Sequence, residues 1–393
     1  MIRDGERRQH LYGRYLIRHP LLRRGLMLID RVLALFNRKG RANPSADVRE
    51  ILVANLSHAG DVVLTTAILP SVKARWPEAK IGFLVGSWNA QVIRSLPLVD
   101  RIHQVDHWRT NRSPRGGLRK FGRWLRTAWL SFLDLRAIKY DVAIDLDQYS
   151  PNAIPLLWAA GIPTRAGYAS GGFGPLLTHP TNWRDVDSPV WVEHARVVAS
   201  LGIPIIEPVR PSMPPPRGTS LPGGLIEPWV VVHPAAGNAA REWPADRWIA
   251  VIAGLIEMGM TVVVTGRGLR DAEYGRRFSA AFPQVLSLVD QLSWNEWLAV
   301  VAGARLMLSV DTVSNHVAAA NGVPWVAIYS GIAHHAQWGP AQPGTLISSP
   351  VPCAPCFLTQ GCAGMECIRD VHPPAVLAAA RVYLAQRKPL EGA

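Results

Sequence analysis

Short apolar runs alternate with stretches of helical periodicity over most of the chain. Ile51-Leu52-Val53-Ala54-Asn55-Leu56 predicts a strand that ends in the polar turn Ser57-His58-Ala59-Gly60, and a helix follows over 61–75. Strands over 81–85 and 142–146 continue the rhythm. Strand–helix–strand alternation predicts a parallel sheet covered on both faces. Pro204, Pro208, Pro211, Pro214, Pro215, Pro216 and Pro222-Gly223-Gly224 then deny a host to either element, so this stretch reads as a linker. Beyond it the rhythm restarts, with strands over 229–233, 261–265, 304–309 and 325–329 and a helix over 245–258. The expected organisation is an extension over 1–48, an α/β domain over 49–205 and a linker over 206–228. A second α/β domain over 229–373 and a C-terminal helix and tail over 374–393 complete it. Two such halves predict a site in the cleft between them.

A second periodicity precedes the first strand. After Pro20, the residues Leu22, Leu26, Ile29, Leu33 and Phe36 fall on one helical face, with Arg24, Arg31 and Arg38 on another. Charge makes this helix notable. The chain has 393 residues and a formal net charge of +13. Residues 1–44 hold eleven Lys/Arg against three Asp/Glu, and residues 107–133 hold seven Lys/Arg and no acid. These two segments carry the whole excess. A basic amphipathic helix suits an anionic membrane surface; a helix docked on its own protein with a solvated basic face is the plain alternative. In the second segment Arg109, Arg112, Arg119, Lys120 and Arg123 interleave with Trp108, Trp124 and Trp129, a composition suited to a phosphorylated lipid or acidic glycan. No nucleic-acid-binding signature accompanies it.

Composition excludes several classes. Hydrophobic residues make up 48% and charged residues 18%, which excludes disorder. No apolar stretch reaches the roughly 18 residues of a membrane span. The N-terminus lacks a signal peptide's apolar core. A peripheral cytoplasmic protein is the expectation.

Candidate chemistry gathers where strands end. Asp61 follows the first strand at a helix start, where a carboxylate is stabilised by the helix N-terminus; simple capping is the alternative. In the second half, His233-Pro234-Ala235-Ala236-Gly237 ends a strand and Arg241-Glu242-Trp243-Pro244 leads into a helix. Small residues there let backbone N–H groups approach a phosphate that Arg241 can pair with. A third strand delivers Asp311 and Thr312, then Val313, with His316 one turn into the next helix.

Together these motifs resemble glycosyltransferase family 9, the lipopolysaccharide heptosyltransferases. The carriers are Leu56 to Thr66, Trp76-Pro77-Glu78, Asp141 to Leu146, His233 to Pro244, Val310-Asp311-Thr312 with His316, and Trp338-Gly339-Pro340. The resemblance covers residues 49–385. It implies a GT-B fold, two Rossmann-like domains facing across a cleft. It implies metal-independent, inverting transfer from ADP-heptose or a related nucleotide sugar to a lipid-linked anionic acceptor. Asp61 matches the family's general base and Asp311 its sugar-hydroxyl ligand. The resemblance places the diphosphate near Ala235, Ala236, Gly237, Arg241, Thr312 and Val313. This sequence departs from the pattern at Arg241, where Lys is usual, at Val313, where Gly is usual, and at Ala235-Ala236. A UDP-sugar enzyme or epimerase on the same fold, or an idle membrane scaffold, are the alternative readings.

Cys353, Cys356, Cys362 and Cys367 fall within fifteen residues. Four thiolates so spaced suit structural zinc or an iron–sulfur cluster; redox pairing and buried thiols are the alternatives. None is expected to act in catalysis, which needs no cofactor under this reading.

Overall fold

The computed structural model describes residues 15–17, 19–36, 44–45, 47–111, 113–114, 116–184 and 187–385. The chain divides after Pro211 into two compact units. In the N-terminal unit, helix α1 (Pro20–Phe36) precedes β1 (Glu50–Asn55). The helix expected over 61–75 is two helices, α2 (Ala59–Thr65) and α3 (Leu69–Arg75), joined by a 3-10 turn over Thr66–Ile68. Pro70 accounts for the break, because its ring nitrogen has no hydrogen to donate to the preceding turn. Then come β2 (Lys80–Val85), α4 (Ala90–Arg94), β3 (Arg101–Gln104), α5 (Gly117–Ile138) and β4 (Val142–Asp145). The unit ends with α6 (Ile154–Ala159), β5 (Thr164–Tyr168), β6 (His179–Thr181) and α7 (Val190–Ala199). Residues 204–228 form neither helix nor strand.

The C-terminal unit runs β7 (Trp229–His233), α8 (Ala245–Glu257), β8 (Thr261–Val264), α9 (Leu269–Ala281), β9 (Leu286–Ser287), α10 (Trp294–Gly303) and β10 (Leu306–Val310). It continues through α11 (Val313–Ala320), β11 (Trp325–Ile328), α12 (His335–Trp338), β12 (Gly344–Ile347), α13 (Glu366–Arg369) and α14 (Pro373–Leu384).

Both sheets have six strands, every pairing parallel. Their orders are β3-β2-β1-β4-β5-β6 and β12-β11-β10-β7-β8-β9. Counted within each unit, the two orders are the same, that of a doubly wound dinucleotide-binding sheet. Central strands are buried on both faces, which is why they read as unbroken apolar runs: β7 is Trp-Val-Val-Val-His. The second core closes on Trp243 and Trp248, edge to face at 5.2 Å, with Trp243 Nε1 donating to Val371 O at 3.1 Å.

Helix α1 differs from its expected single face. Leu26 is buried and Leu33 packs beside Leu176 and Ile154, but Leu22 and Ile29 are exposed. The buried face is set by Asp30, which accepts the Tyr15 hydroxyl at 2.7 Å and the Phe173 N–H at 2.8 Å. The Phe36 side chain and Arg38 lie outside the described residues.

Candidate active site

Doubly wound sheets bind ligands beyond the carboxyl ends of the strands, where the strand order reverses. In the N-terminal unit that point lies between β1 and β4, in the C-terminal unit between β7 and β10. The candidate residues leave from these four strands.

After β1 the chain turns through Leu56–Gly60 to deliver Asp61 in the first turn of α2. Asp147, just past β4, holds this turn: its carboxylate accepts the Leu56 N–H at 2.6 Å and the Ser57 hydroxyl at 2.6 Å. Trp88 Nε1 and Asn89 Nδ2 donate to the Ser57 carbonyl at 3.1 and 3.0 Å. Asp61 Oδ2 accepts the His58 N–H at 2.9 Å, so the carboxylate caps its own helix. Asp145 supports the neighbouring loop, accepting from Asp147 N at 3.0 Å and Ala153 N at 2.8 Å. Burial pushes the Asp145 carboxyl up to about 7 against these N–H bonds. Burial, and then the charge of Asp145, push Asp147 well above the ordinary carboxylate range.

In the C-terminal unit, Arg241 Nη1 pairs with Asp311 Oδ2 at 3.1 Å. Arg241 sits in a short 3-10 turn over Ala239–Arg241, capped by Asn238, whose side chain accepts from Ala240 N at 3.0 Å and donates to Thr359 O. Thr312 is the extended N-cap of α11, with no side-chain cap bond, and Val313 is its first residue. Around the pair, Arg241 Nε, Ser314 Oγ, His316 Nδ1 and Ser330 Oγ are buried with no hydrogen-bond partner among the described residues. Burial, then the Arg241 charge, push the His316 imidazole down to about 4, so it is neutral at pH 7. His233 is likewise lowered to about 4 by burial, with Nδ1 3.2 Å from Thr265 Oγ1. The structure thus brings Arg241, Asp311, Thr312, Val313 and His316 to one strand-end cluster.

The backbone N–H groups of Ala235 and Ala236, expected on the diphosphate, face instead the carboxylates of Asp271 and Glu242. Both alanines are buried, whereas Gly237 is exposed.

The basic segment is divided in role. Arg109 and Arg119 are exposed and Lys120 half-buried. Arg123, expected to meet an anion, is instead tied to Asp106, a fully buried carboxylate that also accepts from Ser87 N at 2.7 Å. Arg112 lies outside the described residues.

The cysteines do not fit the metal site expected of them. Among the described residues no group of three or more His, Cys, Asp or Glu side chains is placed to hold a metal ion. A tetrahedral thiolate site needs four sulfurs about 2.3 Å from one point. Here Cys353 and Cys362 are exposed, Cys356 is half-buried, and Cys367 packs in the core with Ile332 and Ile368. Burial, and then the nearby Cys356, Cys353 and Cys362, push the Cys367 thiol up. The loop braces Arg241's turn: a Cβ on Gly361 would come within 2.9 Å of the Ala240 Cβ.

Asp147 carried no signal beyond its spacing two residues after Asp145 at a strand end, Asp271 carried none, and Glu242 stood in the Arg241–Pro244 motif with no role assigned.

Two doubly wound units, each with a polar cluster at its switch point, are the architecture of the GT-B class. The family model for glycosyltransferase family 9 (heptosyltransferase) matches residues 131–364, and the chain belongs to that family. It is 24% identical to lipopolysaccharide heptosyltransferase 3 of Escherichia coli over 294 residues, 72% of this chain and 83% of that protein. Its fold matches that of E. coli ADP-heptose LPS heptosyltransferase II, with a TM-score of 0.66 at 20% identity over 86% of this chain and 99% of the other. E. coli heptosyltransferase WaaC with ADP gives 0.67 at 19% identity, covering 85% and 99%.

Proposed function

We propose that this glycosyltransferase moves a heptose, or a related sugar, from an ADP-sugar to a lipopolysaccharide-type or other anionic glycolipid at the inner face of a membrane. The C-terminal unit holds the donor and the N-terminal unit the acceptor. Asp61 takes the proton of the acceptor hydroxyl as that oxygen attacks the anomeric carbon. The bond from that carbon to the diphosphate oxygen breaks, its electron pair leaves with ADP, and the configuration inverts. Arg241 and the uncapped N-terminus of α11 stabilise the charge growing on the departing diphosphate, without a metal. Asp311 accepts from sugar hydroxyls. Neutral His316 offers a nitrogen to the nucleotide sugar.

The observation that carries this reading is the Arg241–Asp311 pair at the β7/β10 switch point, among buried polar atoms that lack protein partners. Such atoms are costly to leave unpaired, so a polar ligand is their natural complement. Calorimetric titration with ADP and with UDP, with and without EDTA, tests it. ADP binding should be unaffected by EDTA and weakened at least about tenfold in Arg241→Ala, the loss of one charge-assisted contact. Binding of UDP alone would overturn the donor, and binding of neither would favour a scaffold.

A further inference from the structure

Helix α5 has two apolar faces. Trp124, Ala128, Ser131 and Leu135 turn inward against the sheet and α6. Leu118, Phe121, Leu125, Trp129 and Leu133, spaced by three or four residues, form a second stripe that is exposed, Leu118 to 90% and Trp129 to 61%. The stripe runs roughly 22 Å, and ring contacts along it lie within the helix, Phe121 with Trp124 and Trp129 with Phe132. Arg119 and Arg126 lie along its edge, both exposed.

Helix α1 repeats the design. Leu26, Asp30 and Leu33 face inward, and Leu21, Leu28, Val32 and Leu35 face outward, Leu28 to 62% and Leu35 to 66%. Arg24 and Arg31 flank them, exposed. The two helices share one layer. Leu156 and Leu157 of α6 pack with α5, while Ile154 of α6 packs with Leu33 of α1 through Phe173 and Leu176. Trp158 of α6, between them, is also exposed.

We propose that the outer face of this α1–α6–α5 layer inserts into the interface of an anionic lipid bilayer. It deepens the membrane-side reading above, by naming the surface and making its contact apolar as well as electrostatic. Charge selects the occupant. No acid interrupts residues 107–133, and the one acid of α1, Asp30, is buried and bonded inward. A second copy of this chain would set like-charged edges against each other. A bilayer supplies anionic headgroups to the arginines and acyl chains to Leu, Phe and Trp at once. Exposed Trp129 and Trp158 suit the headgroup boundary, where an indole meets both acyl chains and water.

Co-sedimentation of the full chain with phosphatidylcholine vesicles, with and without phosphatidylglycerol, reads this directly. The protein should bind the phosphatidylglycerol vesicles far better than the neutral ones, and raised salt should weaken but not abolish that binding. Leu125→Asp with Trp129→Asp, and separately Leu28→Asp with Leu35→Asp, should each lower partitioning at least about tenfold, leaving melting temperature and ADP affinity unchanged. Four outcomes would overturn the proposal: no binding by the parent, variants that bind as the parent does, complete loss in salt, or variants that instead dissolve a concentration-dependent dimer. Neither donor nor acceptor is present in this assay. Failed sugar transfer would therefore leave the lipid surface standing, and failed vesicle binding would leave the transferase reading standing.

Discussion

Replacing Asp61 by Asn and by Ala separates two jobs held by one carboxylate. Its Oδ2 accepts the His58 N–H at 2.9 Å and so closes the first turn of α2. Loss of a capping interaction costs about 1 kcal/mol, equivalent to roughly 2–4 °C in the melting of a unit this size. Asn keeps an oxygen for that N–H, so Asp61→Asn should melt within about 1 °C of the parent, whereas Asp61→Ala should show the whole loss. Neither variant can take a proton from the acceptor hydroxyl. Removal of a general base costs about 100-fold or more, so both should lose at least about 2.7 kcal/mol of transition-state stabilisation. The assay is ADP release with ADP-heptose and a deacylated glycolipid acceptor, beside calorimetric ADP affinity, which should stay unchanged. Turnover by Asp61→Asn within tenfold of the parent would reduce Asp61 to a cap and send the search for the base elsewhere.

Three other outcomes follow from the same contacts. Asp147→Ala leaves the Leu56 N–H and the Ser57 hydroxyl without their acceptor; each orphan costs about 1–3 kcal/mol, and turnover should fall with the displaced turn while ADP affinity holds. Asp147→Asn, which keeps an oxygen for Leu56, should recover most of the stability, and equal behaviour of the two variants would deny Asp147 its positioning role. Gly361→Ala puts a Cβ against Ala240 at a backbone φ of +76°, so it should weaken ADP binding through Arg241's turn without touching the nucleotide; unchanged affinity would refute the bracing. Burial holds the His233 and His316 imidazoles at about 4, below the ordinary 6.5. The unfolded chain then binds more protons between pH 6.5 and 4, and the C-terminal unit loses stability as pH falls through that window. Asp271, raised to about 6 by burial, opposes this below pH 6, since the folded form there holds the extra proton. His316→Gln should flatten the slope by about 1.4 kcal/mol per pH unit in chemical denaturation, and a variant slope equal to the parent's would refute the assignment.

The fold was legible because its strands are buried on both faces. Val-rich runs such as 229–233 have one reading in a chain of alternating elements, and the proline-dense 204–228 has one reading as a break. Position along such a sheet then makes Asp61, Arg241 and Asp311 candidates, since residues just past strand ends gather at the switch point. Short edge strands were illegible for the converse reason. The two-residue β9 and the three-residue β6 have too little pattern to rise above their loops.

What the sequence hid is set by contacts between residues far apart in the chain. Asp147 meets Leu56 and Ser57 across about ninety residues, and Asp271 meets Ala235 across thirty-six. Such acids look like ordinary turn residues until the sheet brings two strand ends together. Helix α1 makes the same point in reverse. With Leu at 21, 22, 26, 28, 33 and 35 it has enough apolar positions for either of two faces, and periodicity alone chose one containing Leu22 and Ile29. A polar residue decided the matter. Only the orientation that buries Asp30 gives the Tyr15 hydroxyl and the Phe173 N–H their shared acceptor, and two orphaned donors would cost about 1–3 kcal/mol each. Hydrophobic surplus on the outer face is therefore what remains after an internal hydrogen-bond requirement has been met.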